Sequence, residues 1–113
     1  MSKLEGVITT AKEHLDKHFT GHSTDEDLLR KVTKGLGPSV YGIDSGQVSC
    51  SQQSEKDTIV EKFLMKKHGM TDEAAAKKAV DEVCEQYKGA RNKSRPVFYY
   101  VLVKKLGLEG NYA

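Results

Sequence analysis

The chain has 113 residues, of which 37% are hydrophobic and 30% charged, and its formal net charge is +2. This length is common for one domain and is long enough to bury a core without metals or disulfides, so we expect a single domain over residues 1–113. No apolar run approaches the roughly 18 residues needed to cross a bilayer, and the start of the chain lacks the apolar stretch of a signal peptide, which predicts a cytoplasmic protein with no membrane partner.

Two amphipathic helices are predicted at the start of the chain. Apolar residues recur at helical spacing from Leu4 to Phe19, and Gly21 is the expected stop. Residues 23–26 combine hydroxyls with acids in a capping-box pattern, which predicts a second helix that ends near Gly35. The residues that this second helix should bury are Leu28, Leu29, Val32 and Leu36.

A loop and a third helix follow. Residues 38–53 show no sustained period and contain Gly and Ser, so we interpret them as a loop with one short helical turn at residues 39–41. The third helix should begin at Ser51 or Ser54 and end at His68. Its predicted core residues are Ile59, Val60, Phe63 and Leu64.

Gly69 separates the third helix from a fourth, which should begin at residues 71–73, where a hydroxyl is followed by two acids, and close at Gly89. The inner face of this fourth helix should consist of Ala75, Ala76, Ala79, Val80, Val83 and Tyr87.

The last element is harder to assign, because residues 97–103 have strand propensity and no charged residue among them. A helix is nevertheless favoured, since Ser94 or Arg95 can cap it, Pro96 suits a first turn and Gly107 suits a stop. A lone strand would also lack a partner. A helix that is apolar on most sides is usually central, so we predict an all-α bundle of about five helices with this C-terminal helix at its centre.

Positive charge is concentrated near the C-terminus. Residues 1–85 carry 12 Lys and Arg against 15 Asp and Glu, a net of −3, whereas residues 86–113 carry 6 against 1, a net of +5. No acid occurs from residue 88 to 105. The cations that precede the last helix, where backbone N–H groups are unpaired, suggest an anion site. Its candidate residues are Lys88, Arg91, Lys93, Ser94 and Arg95.

Aromatic residues flank these cations, as they do in many nucleic-acid binders. Tyr87 on one side and residues 98–100 on the other offer faces on which bases could stack. The expected partner is therefore a nucleic acid or a phosphorylated ligand. The competing interpretation is a solvated, charged turn between aromatic residues that fill the core.

The two cysteines, Cys50 and Cys84, are too few for a disulfide framework, so both are predicted to be thiols. Cys50 lies just before a helix whose dipole can lower a thiol pKa, which allows a hypothesis of a small thiol-dependent enzyme. The sequence places no base beside this cysteine. A small buried hydrophobe is the favoured interpretation, and we predict no catalytic residue.

The histidines His14, His18 and His22 are spaced four apart, and a pair at that spacing lies on one helix face as metal-binding pairs do. No Cys or acid at a recognisable ligand spacing completes a site. We therefore predict no metal ligand and no cofactor.

The C-terminal part of the chain resembles a known family. Residues 93–95 with 98–100, and then Leu102 and residues 105–107, form a K-S-R-x-x-F-Y-Y-x-L-x-x-K-L-G stretch, and residues 48–51 and 82–84 add to the match. The stretch is similar to an uncharacterised family of small bacterial proteins, catalogued only as a domain of unknown function. The resemblance implies a compact helical fold and carries no activity, ligand or catalytic residue.

Together these features predict a non-catalytic binding or interaction module that binds a polyanion through the basic residues before the last helix. One alternative is a protein-interaction or self-association module in which Tyr99 or Tyr100 is a partly exposed anchor. The other is the thiol-dependent enzyme centred on Cys50.

Overall fold

The computed structural model describes residues 3–19, 25–36, 48–89 and 93–112. Over these ranges the chain forms five helices, a short 3-10 turn at Glu109–Tyr112 and no strand. The helices are α1 (Lys3–His18), α2 (Glu26–Gly35), α3 (Gln53–Thr58, continuing as Ile59–Lys67), α4 (Glu73–Gln86) and α5 (Arg95–Leu106). The predicted all-α fold class is therefore confirmed.

The first two helices follow the predicted pattern. α1 buries Ile8, Ala11 and Leu15 along one face, as expected from helical spacing. Asp25 caps α2, because its carboxylate accepts a hydrogen bond from the backbone N–H of Leu28 at 3.1 Å. Of the predicted core residues of α2, Leu28, Leu29 and Val32 are buried and Leu36 is half-buried. The predicted stop at Gly21 and the hydroxyls of residues 23–24 lie outside the described residues.

α3 changes its winding along its length. Residues Gln53–Thr58 are α-helical, whereas Ile59–Lys67 form a π-helix with wider turns. The N–H of His68 donates accordingly to the carbonyl of Phe63, five residues back, at 3.2 Å. The π-helical part was not predicted, since the spacing of its apolar residues suits both windings. The predicted core residues Ile59, Val60, Phe63 and Leu64 are all buried.

α4 begins where the sequence predicted. The carboxylate of Asp72 accepts a hydrogen bond from the N–H of Ala75 at 3.0 Å and caps the helix. The helix ends at Gln86, before the predicted stop at Gly89. Its inner face contributes Ala76, Ala79, Val80 and Val83 to the core, with Tyr87 just beyond its end.

α5 is the central helix, despite its strand-like sequence. The Ser94 hydroxyl accepts from the N–H of Val97 at 3.5 Å, Pro96 occupies the first turn, and Gly107 ends the helix at φ 68° and ψ 34°. α5 packs against α1, α2 and α4, and Phe63 of α3 contacts Tyr99 with ring centroids 4.2 Å apart. Burial on nearly every side replaces the amphipathic pattern that the outer helices show.

The loop predicted over residues 38–53 is described only from residue 48, and the turn predicted at residues 39–41 lies outside the described residues. Residues 48–52 form a short turn that enters α3, and Val48 is buried in the core. Within the described ranges, no helix is long and apolar enough to cross a membrane.

Gly107→Ala should lower the free energy of unfolding by about 1–2 kcal/mol, because φ at this position is +68° and a left-handed backbone costs an L-residue that much. Gly6→Ala is the matched control. Gly6 is exposed within α1 and an added Cβ meets nothing within 4 Å, so alanine there should stabilise by about 0.5–1 kcal/mol. Urea denaturation measures both changes. If both variants were stabilised or both destabilised, the assignment of Gly107 as the residue that ends α5 would be contradicted.

Candidate functional site

The predicted anion-binding residues lie in the connection between α4 and α5, which we call the basic segment (residues 88–95). The structure describes Lys88, Gly89 and residues 93–95 of it, while Arg91 lies outside the described residues. Lys93 and Ser94 are half-buried and Lys88 is exposed. The cations of the segment therefore differ in how accessible they are.

Two hydrogen bonds hold the backbone of residues 93 and 94 in the basic segment. The N–H of Val48 donates to the carbonyl of Lys93 at 2.8 Å. The N–H of Ser94 donates to the hydroxyl of Tyr87 at 3.0 Å. The start of α5 is thus held from two sides, by the turn before α3 and by the residue that ends α4.

Arg95 forms hydrogen bonds within the protein. Its side chain is only 16% exposed, and it donates to the carboxylate of Glu55 on α3 at 2.6 Å. It also donates to the hydroxyl of Tyr99 at 3.1 Å, and the guanidinium carbon lies 5.7 Å from the centre of the Tyr99 ring. Separating a half-buried guanidinium from two hydrogen-bond partners costs free energy, because the partners are left without their charge-bearing donor. Arg95 therefore joins α3 to α5 and offers little to an external anion.

Among the described cations of the basic segment, Lys88 is the exposed one. Its side chain is 72% exposed and pairs with Glu85, 71% exposed, at 2.6 Å. This hydrogen bond raises the pKa of Lys88. Because an ion pair on such an exposed surface is weak and screened by salt, an approaching phosphate can compete with Glu85 for the ammonium group.

Folding also brings acids to the stretch of residues 88–105, which has none in its own sequence. Glu85 contacts Lys88, Glu55 contacts Arg95, and Glu82 pairs with Lys105 at 3.0 Å. The positive field of the C-terminal part is therefore weaker in the folded protein than the sequence suggested, since each of these acids lies within 4 Å of a cation.

Sequence reasoning missed the polar contact that supports Ser94. The Tyr87 hydroxyl accepts from the N–H of Ser94 and also forms a hydrogen bond with Nδ1 of His14, 2.5 Å away. Burial raises the pKa of Tyr87 to about 12, although the bond from Ser94 opposes the rise. Burial, followed by the charges of His18 and Lys17, lowers the pKa of His14. No sequence signal paired His14 with a tyrosine so far along the chain.

Stability should fall as the pH drops below about 7. The pKa of His14 and that of His68 are both lowered below 6.5 in the folded state, in each case first by burial. Near pH 6.5 and below, the unfolded chain therefore binds more protons than the folded one, so the free energy of unfolding decreases with falling pH until the native histidines also titrate. Urea denaturation between pH 7.5 and 5.5 measures the slope.

His14→Asn serves as the comparison for this pH series. It keeps an acceptor near the Tyr87 hydroxyl but does not titrate, so its slope should be shallower than that of the wild type. A wild-type stability that stays level or rises as the pH falls to 5.5 would refute the lowered pKa of these half-buried histidines.

The aromatic residues beside the basic segment are not available to a ligand. Tyr87 and Phe98 are fully buried, and Tyr99 and Tyr100 are only 7% and 4% exposed. The hydroxyl of Tyr100 accepts from the N–H of Asp25 at 2.9 Å, within the protein. The prediction of rings that stack on bases is therefore wrong, and so is the prediction of Tyr99 or Tyr100 as an exposed interface anchor.

The prediction of two free thiols is also wrong. Cys50 and Cys84 are joined by a disulfide, with their Cα atoms 5.8 Å apart. Their separation of 34 residues gave no sign of this pairing, since only the packing of α4 beside the turn that precedes α3 brings the two side chains together. Cys50 in this state has no free thiol for the nucleophilic role of the thiol-enzyme alternative.

The histidine spacing does not assemble a metal site among the described residues. The rings of His14 and His18 lie 5.8 Å apart, but Nδ1 of His14 is taken by Tyr87. His22 lies outside the described residues. Across the part of the chain that the structure describes, no group of three or more His, Cys, Asp or Glu could hold a metal ion.

Comparison with known proteins adds a family assignment. The model of a protein family described as "Protein of unknown function (DUF2853)" matches residues 12–110. The match covers all of α2 to α5 and the C-terminal part of α1 from residue 12. No curated protein matches the chain.

Proposed function

We propose that this chain, which belongs to the DUF2853 family of proteins of unknown function, is a non-catalytic module that binds the phosphate backbone of nucleic acids through its basic segment. The observation that carries this proposal is the exposed ammonium group of Lys88, next to a connection with two further cations that is anchored at the start of α5. Three cations close together in the sequence suit a row of phosphates, since affinity for such a row comes from neutralised charge.

The same geometry limits the mode of binding. Arg95 is bonded to Glu55 and Tyr99, and Ser94 is occupied as the cap of α5. Besides the exposed Lys88, our proposal assigns phosphate contacts to Arg91 and Lys93 from their place in the sequence of the basic segment. With the neighbouring rings buried, no base is stacked, so the binding should be independent of sequence and should involve the backbone alone.

A titration of a 20-base-pair DNA duplex by fluorescence anisotropy tests this proposal. Three phosphate contacts predict that log K falls with log salt with a slope of about −2.7. Changing Lys88, Arg91 and Lys93 together to alanine should weaken binding at low salt by roughly tenfold or more and flatten the slope by about one for each cation removed. Inorganic triphosphate as a competitor distinguishes a small phosphorylated ligand from a nucleic acid.

A second triple variant controls for net charge. Lys17, Lys62 and Lys78 are exposed on α1, α3 and α4, and their replacement by alanine removes the same total charge elsewhere. This variant should bind the duplex nearly as well as the wild type. If both variants lose the same affinity, attraction to the whole protein explains the binding and the assignment to the basic segment fails.

We further propose that the protein works in the cytoplasm of a bacterium, in line with its resemblance to a family of small bacterial proteins. Disulfides in that compartment are rare and are usually transient or redox-sensing. Cell fractionation with alkylation of free thiols tests the location, and recovery of the protein only outside the cytoplasm would refute it.

A further inference from the structure

The disulfide lies beside the basic segment. Cys50 belongs to the turn of residues 48–52, which we call the clasp segment, and Cys84 lies in the last part of α4. Tyr87, which follows Cys84 by less than one helical turn, holds the N–H of Ser94. The bond from Cys50 to Cys84 therefore ties the clasp segment to the end of α4, where the basic segment begins.

The clasp segment holds Lys93 in place. Val48 is 5% exposed, and its N–H donates to the carbonyl of Lys93 at 2.8 Å. The other hydrogen bonds described for the segment are local, such as the one from the N–H of Gln52 to the carbonyl of Ser49 at 3.3 Å. The disulfide is thus a covalent support for the segment that donates this long-range hydrogen bond to Lys93.

We propose that the Cys50–Cys84 disulfide is a redox-responsive clasp: when it is closed it holds Val48 against Lys93, and when a dithiol reductant opens it Lys93 loses this support and the protein binds polyanions more weakly. The part of this inference that concerns polyanions rests on the proposed function. The part that concerns the clasp rests on the contacts of Val48, Cys50 and Cys84 alone.

The opening reaction balances with a dithiol as the only co-reactant. A thiolate of the dithiol attacks one Sγ atom, the S–S bond breaks, and the other cysteine leaves as a thiolate that takes up a proton. The second thiol of the reagent then attacks the mixed disulfide and releases the first cysteine. The protein gains two electrons and two protons, and the dithiol is oxidised to a disulfide. Cys50 and Cys84 are both half-buried and Ser51, next to Cys50, is exposed, so a small dithiol can approach.

Amide NMR of the oxidised and the dithiothreitol-reduced protein tests the clasp. Reduction should shift or broaden the amide signals of Val48, Ser49 and Ser94 and leave those of α1 and α2 in place. The Cys50→Ala/Cys84→Ala double variant should show the signals of the reduced form with or without reductant. Unchanged signals for Val48 and Ser94 would overturn the proposal. Collapse of the whole spectrum would also overturn it, because the disulfide would then hold the entire fold.

Binding of the 20-base-pair duplex by the two redox forms tests the regulatory part. Loss of preorganisation should weaken binding by roughly threefold to tenfold on reduction, and the double variant should match the reduced form. Binding by both forms with equal affinity would overturn the regulation but not the proposed function. Binding by neither form would overturn the proposed function and the regulation together, whereas the NMR comparison would still decide whether the clasp opens.

Discussion

Phe98→Ala should lower the free energy of unfolding by about 3–5 kcal/mol, which is the usual cost of replacing a buried phenylalanine by alanine. Phe98 is fully buried in α5, the helix around which α1, α2 and α4 pack. The cavity left by its ring would lie within the hydrophobic core, where close packing limits how far the neighbouring side chains can move to fill it. Against a total stability of about 5–15 kcal/mol for a typical domain, this loss is large enough to leave the variant partly unfolded at elevated temperature.

Urea denaturation followed by circular dichroism measures this change. Val101→Ala is the comparison, because Val101 belongs to the same helix but is only half-buried. Val101→Ala should lower the free energy of unfolding by much less than Phe98→Ala does. If the two variants lost the same free energy, α5 would not be the centre of the core.

Removal of the disulfide by the Cys50→Ala/Cys84→Ala double change should lower the free energy of unfolding by about 2–4 kcal/mol. The bond closes a loop between residues separated by 34 positions, and the entropy that such a link removes from the unfolded chain corresponds to about 4 kcal/mol in the loop-closure model. The disulfide stabilises the protein mainly by restricting the unfolded chain. This loss of stability is therefore separate from any local change that its removal causes in the clasp segment.

Denaturation of the wild type with and without dithiothreitol gives an independent measurement of the same quantity. Reduction should lower the stability of the wild type to that of the double variant, and the reductant should leave the double variant unchanged. A loss below about 1 kcal/mol in both experiments would contradict this prediction, since disulfides typically contribute about 2–4 kcal/mol.

Much of the fold follows from local signals. The caps at Asp25, Asp72 and Ser94 were each marked by a short polar side chain ahead of an apolar pattern. Gly107 ends α5 in the left-handed conformation that glycine adopts easily. Even the strand-like α5 could be assigned, because its ends carried helix signals and no partner strand was present.

The candidate site was less predictable, because its chemistry depends on residues that are distant in sequence. The basic segment could be located by charge alone, but Glu55 and Glu82 reach Arg95 and Lys105 only through the packing of α3 and α4. The burial of Tyr99 and Tyr100 likewise follows from the central position of α5. A sequence pattern of cations and aromatic rings does not show which of these side chains are buried or paired within the folded protein.

Local sequence patterns were sufficient to define the helices, their caps, the core faces and the concentration of positive charge near the C-terminus, since each of these depends on residues within a few turns of one another. The folded chain was needed to show that Cys50 and Cys84 form a disulfide, that His14 and Tyr87 share a hydrogen bond, and that Arg95 joins α3 to α5. The physical reason is that a bond between side chains requires two distant segments within a few ångströms, and that distance is set by how the whole core packs.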